Sequence, residues 1–280
     1  MLTQCLTGKR ITVVGAGNMG QALIRGLMAC GGVQPADLTV VAPRLQALQM
    51  LQKAHGVCIE VDNRAACRGA QVVVLAVKPQ QLPTVLQGLD AAAAGEALFI
   101  SIAAGLSLAA VESYLRPGAR VCRAMPNTPV VVGAGATALS VGAHASAADV
   151  ALATAIFASV GTVTPVDDSL MDAVTGLSGC GPAYVFTVVE ALCDAGVRVG
   201  LPRATALALA AQTVRGSGEL LLRSGTHPMV LKDQVTSPGG PTIAGLHRLE
   251  EGGLRAALMN AVVGATERAR QLGQQTPQGT

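Results

Sequence analysis

"ITVVGAGNMGQALIRGLMACG", residues 11–31, decides how the first half of the chain folds. Four strand-forming residues, Ile11 to Val14, run into Gly15, Gly17 and Gly20. An apolar helical pattern follows at Ala22, Leu23, Leu27 and Met28. Strand, glycine turn and helix in that order form a phosphate-binding unit. The first glycine permits a tight turn, the second lets a pyrophosphate approach the backbone, and the third lets strand and helix pack closely. The helix N-terminus adds N–H donors and the positive end of its dipole. The same spacing also occurs in glycine turns that only pack, but in this context it predicts a dinucleotide site.

Working outward, "LTVVAPR" (38–44) reads as the next strand. Sites that prefer NAD carry an acidic residue at the end of this strand, on the ribose diol. Here the end reads Ala42, Pro43, Arg44. No carboxylate would repel a 2′-phosphate, and Arg44 can pair with one. NADPH is therefore the expected reductant, with NADH as the alternative and a surface Arg opening the next helix as the plainer reading. "AQVVVLAVKP" (70–79) is a continuous apolar run, as in a parallel strand buried on both faces. Lys78 at its carboxyl end lies either near the cofactor or in solvent. "ALFISIAAG" (97–105) and "RVCRAMPNTP" (120–129) repeat the pattern of strand and small-residue turn, and Asn127 and Thr128 form a polar corner between two prolines. "GATALSV" (135–141) and "GTVTPV" (161–166) read as further strands, with a helix between them at about 147–158. The expected fold class is α/β: an N-terminal Rossmann-type doubly wound sheet over residues 1–165.

From residue 166 to 280 the strand signals stop. Helical patterns fall at about 169–176, 182–195, 203–223 and 254–272. These helices are apolar and poor in charge. They are better buried against a second copy, so an all-α substrate-binding and dimerisation domain is expected, in a homodimer or a higher oligomer. Within it lies "VTSPGGPTIAGL" (235–246). Its prolines and glycines break one helix, and Thr242 stands near the start of the next. N–H groups of Gly239 and Gly240 with the hydroxyls of Ser237 and Thr242 would make a compact donor cluster suited to a carboxylate. The plainer reading is an N-cap and a loop.

Composition narrows the classes. Of 280 residues half are hydrophobic, yet aromatics are 2% and Trp is absent, so the core is built from small aliphatic side chains. A net charge of +3 without basic clusters argues against nucleic acid. Seven Cys in no C-x-x-C pair read as buried, reduced thiols, and the four His lack metal spacing, so no metal is expected. The uncharged stretches 150–166 and 173–189 are interrupted by Gly, Pro, Ser or Thr, which argues against a membrane span. Only ten residues precede the first strand, too few for a full signal peptide. A soluble, cytoplasmic protein is the expectation.

Together "ITVVGAGNMG", "LAVKP", "RAMPNTP", "TGLSGCGPAY", "GLPR", "HPMVLKDQVTSPGG" and "TIAGLHRLEEGGLRAALMNAV" resemble pyrroline-5-carboxylate reductase, in order and over nearly the whole chain. The resemblance implies reduction of the cyclic imine 1-pyrroline-5-carboxylate to L-proline with NAD(P)H, the last step of proline synthesis. It places Gly15, Ala16, Gly17, Asn18, Met19, Ala76, Val77, Lys78 and Pro79 around the cofactor, and Asn63 of "VDNR" by the nucleotide ribose. Met125, Asn127 and Pro129 would flank the nicotinamide. Ser237, Gly239, Gly240 and Thr242 would hold the substrate carboxylate and ring nitrogen and reach the partner subunit's cofactor, with Thr242 as the catalytic hydroxyl. Three positions depart from the family pattern. Pro241 stands where Thr or Ala is usual, Cys180 where Ser is common, and "VVAPR" lacks the polar residue often found before Arg44. Such an imine is substantially protonated near neutral pH, so the protein mainly has to fix distance and angle. Two rivals stand beside this reading. A hydroxyacid dehydrogenase would carry a Lys where Val185 stands, six positions after Gly179. A non-enzymatic NADP(H)-binding regulator would have no use for residues 237–242.

Overall fold

The computed structural model describes residues 2–89 and 96–275. Eight strands form one sheet in the order β3-β2-β1-β4-β5-β6-β7-β8. They are β1 Ile11–Val14, β2 Leu38–Val41, β3 Cys58–Glu60, β4 Val72–Leu75, β5 Leu98–Ser101, β6 Arg120–Pro126, β7 Gly135–Val141 and β8 Gly161–Pro165. From β3 across to β6 all neighbours are parallel, β7 runs antiparallel to β6, and β8 is parallel to β7. The reversal has a local cause. Residues 127–134 between β6 and β7 hold only a short 3-10 turn, Thr128–Val132, closed by Gly133 at φ +73°. A parallel return needs a crossover of a dozen or more residues. β7 and β8 have such a connection in the Ala147–Ala158 helix, and they run parallel.

Strands β1, β4 and β5 are buried throughout, as their unbroken apolar runs require. Leu23, Leu27, Leu48, Ile156 and Phe157 pack one face of the sheet; Leu82, Leu86, Leu106 and Val111 pack the other. The expected doubly wound sheet is thus present. The sequence reading missed β3, a three-residue edge strand that is half exposed and so shows no continuous apolar run.

The chain divides into two compact units, Met1–Cys180 with Gly264–Thr280, and Gly181–Val263. The sequence reading put the division after residue 165. Residues 166–180 stay with the sheet because side chains hold them there. Ser140 Oγ donates to the Val166 carbonyl at 2.5 Å, Arg123 pairs with Asp168 at 2.9 Å, and Asn127 Nδ2 donates to the Ser178 carbonyl at 3.3 Å.

The second unit is helical: Gly181–Arg198, Arg203–Ser224, Pro228–Gln234, Pro241–Glu251 and the first part of Leu254–Gln275. Tyr184 Oη donates to the Ala261 carbonyl at 3.4 Å. The only buried hydrophobic residues of this unit are Cys193, Ala206 and Ala210, while Phe186, Val199, Leu222 and Met259 are each at least two-thirds exposed. A fold with so small a core of its own is covered by something else.

Of the two uncharged stretches, 173–189 does not break as the sequence suggested. A π-turn over Thr175–Gly179 carries the chain on, so that Asp168–Arg198 is one helix long and apolar enough to cross a membrane by length and composition. The thiols are also less uniformly buried than expected. Cys67, Cys122 and Cys193 are buried, Cys58 is exposed, the others lie between, and none of the seven is in a disulfide. Burial, with a nearby carboxylate second, pushes Cys67 and Cys122 up to about 12, which keeps both protonated.

Candidate active site

The glycine turn shows why each glycine stands where it does. Gly15 adopts φ +113°, and a Cβ there would lie 2.4 Å from the Ala76 carbonyl oxygen at the end of β4. A Cβ on Gly20 would lie 2.2 Å from the Gly15 oxygen, so strand and helix meet backbone to backbone. Gly17 is different. It has an ordinary φ of −75°, and a Cβ there would meet nothing within 4 Å. Gly17 is also the N-cap of the Asn18–Ala29 helix, and no side chain caps it. The first-turn N–H groups, including those of Asn18 and Met19, are thus left without a side-chain acceptor. Gln21 Nε2 holds the Ala16 carbonyl at 2.8 Å and steadies the turn from below. Uncapped donors over a bare glycine form a cradle that fits a diphosphate.

Beside this turn, at the carboxyl ends of β1, β2 and β4, lies a cavity of about 330 Å³. Gly15, Ala42, Pro43, Asn63 and Val77 line it. Asn63 is brought there as the first residue of a short helix whose cap, Asp62, accepts from the Arg64 N–H at 2.9 Å. Arg44 follows Pro43, is exposed and has no ion pair among the described residues. Lys78 is exposed beside Val77, and Pro79 opens a 3-10 turn. Sequence reasoning missed Val61, Gln81, Thr84 and Val85, which line the same cavity. Thr84 and Val85 lie on the Leu82–Gln87 helix and Gln81 is its N-cap, and the 81, 84, 85 spacing was the signal available.

At the end of β6, Met125 is half-buried and its Cε lies 2.8 Å from where a Cβ on Gly179 would stand. Asn127 is committed to the protein at both ends of its amide. Nδ2 donates to the carbonyl and hydroxyl of Ser178, and Oδ1 accepts from the Ala136 N–H at 2.9 Å. It shapes this corner, together with half-buried Pro129, instead of reaching out from it.

In the helical unit, Ser237-Pro238-Gly239-Gly240 is a tight turn. The Gly240 N–H donates to the Ser237 carbonyl at 3.1 Å, and Gly239 at φ +67° takes the position that demands a left-handed residue. This corrects one expectation: the Gly240 N–H closes the turn and is not a free donor. Gly240 is instead the N-cap of the Pro241–Glu251 helix, again without a side-chain cap. Pro241 falls at the first helical position, where a missing N–H costs nothing. The outward donors are therefore the N–H groups of Gly239, Thr242 and Ile243. Thr242 is half-buried, and its hydroxyl has no hydrogen-bond partner among the described residues.

The chain is 46% identical to a pyrroline-5-carboxylate reductase of Methanosarcina acetivorans over 96% of its own length and 99% of the relative's. The chain belongs to the pyrroline-5-carboxylate reductase family. A structure of the Coxiella burnetii enzyme superposes with a TM-score of 0.90 at 38% identity, covering 94% of this chain and 98% of that one. The Plasmodium falciparum enzyme with NADP bound gives 0.84 at 32% identity, covering 95% and 98%. Residues 168–272 match the model of pyrroline-5-carboxylate reductase dimerisation, and residues 10–105 match a coenzyme F420-dependent NADP oxidoreductase model. The expectations of a Rossmann-type sheet with an all-α dimerisation region, and of an NAD(P)H-dependent oxidoreductase of this family, are borne out. The chain forms homo-oligomers.

Proposed function

We propose that the protein reduces 1-pyrroline-5-carboxylate to L-proline. Bound NAD(P)H supplies the hydride. The turn at Gly15, Gly17 and Gly20 and the Asn18 and Met19 N–H groups hold the diphosphate, Asn63 the ribose region, and Arg44 the 2′-phosphate that distinguishes NADPH. Ala76, Val77, Lys78 and Pro79 wall the crevice, and Met125, Asn127 and Pro129 form its far end. Ser237 and the Gly239 N–H hold the substrate carboxylate, with Gly240 as the cap that lets the helix begin there. The Thr242 hydroxyl orients the ring nitrogen and donates to it as it becomes an amine. The reaction needs no strong acid or base from the protein, because the imine is already protonated. In this reading residues 1–165 bind the dinucleotide, residues 166–280 bind the substrate and dimerise, and each site takes its clamp from the partner subunit. A cytoplasmic protein with its apolar helices covered by a second copy, away from membranes and nucleic acids, fits this use.

One observation carries the proposal: the helical unit holds a Ser-Pro-Gly-Gly turn that opens a helix with no side-chain cap, Ser237–Thr242, outside the nucleotide cradle. A regulator that only bound NADP(H) would have no use for it. The test is NADPH and NADH oxidation followed by absorbance with the imine present. Turnover is expected with either cofactor, and more efficiently with NADPH. Binding of NADPH without turnover would favour the regulator. Sedimentation at micromolar concentration should show a dimer or larger, and a fully active monomer would rule out shared sites.

A further inference from the structure

A part-buried ion pair joins β6 to the segment that follows β8. Arg123, on β6, is only 4% exposed and stands in register between Ser101 of β5 and Ser140 of β7. Its Nη1 donates to Asp168 Oδ1 at 2.9 Å, and its Nη2 has no hydrogen-bond partner among the described residues. The other Asp168 oxygen accepts from the Leu108 N–H at 3.0 Å, at the start of the helix that follows the β5 exit loop. One carboxylate thus ties β6 and the β5 exit together. Further along the same segment, Ser178 holds Asn127 at the β6 exit, and the Thr175 hydroxyl donates to the Met171 carbonyl at 2.9 Å. A buried guanidinium is retained only when paired, so the arrangement is tightly defined.

We propose that Arg123 and Asp168 are positioning residues for hydride transfer. They touch neither substrate nor nucleotide. They fix the exits of β5 and β6, residues 102–107 and 125–129, against which the nicotinamide end of the cofactor would rest. The proposal depends on the functional reading given above, because it presumes that this corner holds the reacting end of the cofactor. A misplacement of about 1 Å in such a site costs up to about a hundredfold in rate.

The decisive variants are Asp168→Asn, which keeps an acceptor for the Leu108 N–H but loses the charge, and the double variant Arg123→Met/Asp168→Asn. The double variant removes the buried charge altogether and so restores folding if the single one folds poorly. Four quantities are read: kcat with NADPH and its deuterated form, the Kd for NADPH, the melting temperature, and amide exchange over residues 102–129 in nucleotide-free protein. The expected result is a fall in kcat of about tenfold or more, with a larger isotope effect and a Kd within about twofold of the parent. Amide exchange at the two exit loops rises in both variants. In the double variant the melting temperature recovers and kcat does not. Recovery of kcat together with melting temperature would reduce the pair to a stabilising role and overturn the proposal. A weakened NADPH affinity with unchanged kcat would overturn it as well. If the parent enzyme itself does not turn over the imine, the functional reading fails first, and the exchange data alone decide whether the pair orders the exits.

Discussion

Replacing Gly17 with Ala separates the phosphate cradle from the fold. The backbone at Gly17 has φ −75°, which Ala adopts freely, and the added methyl meets no atom within 4 Å. The cost in stability is the poorer helix cap, about 1 kcal/mol, partly offset by the lower entropy of the unfolded chain. For a protein of this size that amounts to a fall of roughly 2–4 °C in Tm. The methyl occupies the space through which a diphosphate would approach the N–H donors of the uncapped helix. Loss of one or two charge-assisted hydrogen bonds is worth about 3 kcal/mol, or about a hundredfold in Kd for NADPH. Gly15→Ala behaves in the opposite way. Its methyl would sit 2.4 Å from a backbone oxygen of Ala76, at φ +113°, so the fold itself should lose about 2–4 kcal/mol. Fluorescence titration with NADPH beside thermal melting reads both effects. If Gly17→Ala binds NADPH as tightly as the parent, the turn is not the cradle, and the reasoning from its open face fails.

Other outcomes follow from single residues. Arg44→Glu should raise the KM for NADPH roughly ten- to a hundredfold and change that for NADH little; equal effects would remove the 2′-phosphate contact. Thr242→Val should lower the chemical rate by about one to two orders of magnitude, leaving NADPH affinity alone, and Thr242→Ser should recover much of it. Full activity in Thr242→Val under chemistry-limited conditions would leave Thr242 a helix residue only. Asp149 supplies an acid-sensitive contribution to stability. Burial raises its pKa, but the hydrogen bonds from Ser146 and the Arg120 guanidinium outweigh burial and hold the carboxyl below its ordinary value. A depressed folded pKa means that this stability is fully present above the unfolded value of about 3.9 and is lost as pH falls through the folded one. Urea melts from pH 6 down to pH 2 should therefore show a steeper acid loss in the parent than in Asp149→Asn; parallel curves would remove Asp149 from the account.

Much of this molecule could be read in one dimension. The strand ending at Val14, the three glycines and the helix after them are local, because a phosphate turn is built from neighbouring residues. The apolar runs of β4 and β5 and the Ala147–Ala158 helix were legible for the same reason. So was the Ser237–Gly240 turn, since Pro and Gly at its two central positions nearly dictate its type. Tertiary structure decided what depends on partners distant in sequence. It engaged both ends of the Asn127 amide, with Ser178 and with Ala136. It also joined Arg123 to Asp168 across 45 positions of chain and so kept residues 166–180 with the sheet. Local conformational preference is set by adjacent residues and is visible in sequence. The pairing of a buried donor with its acceptor is set by desolvation, which exists only once the chain has closed around both.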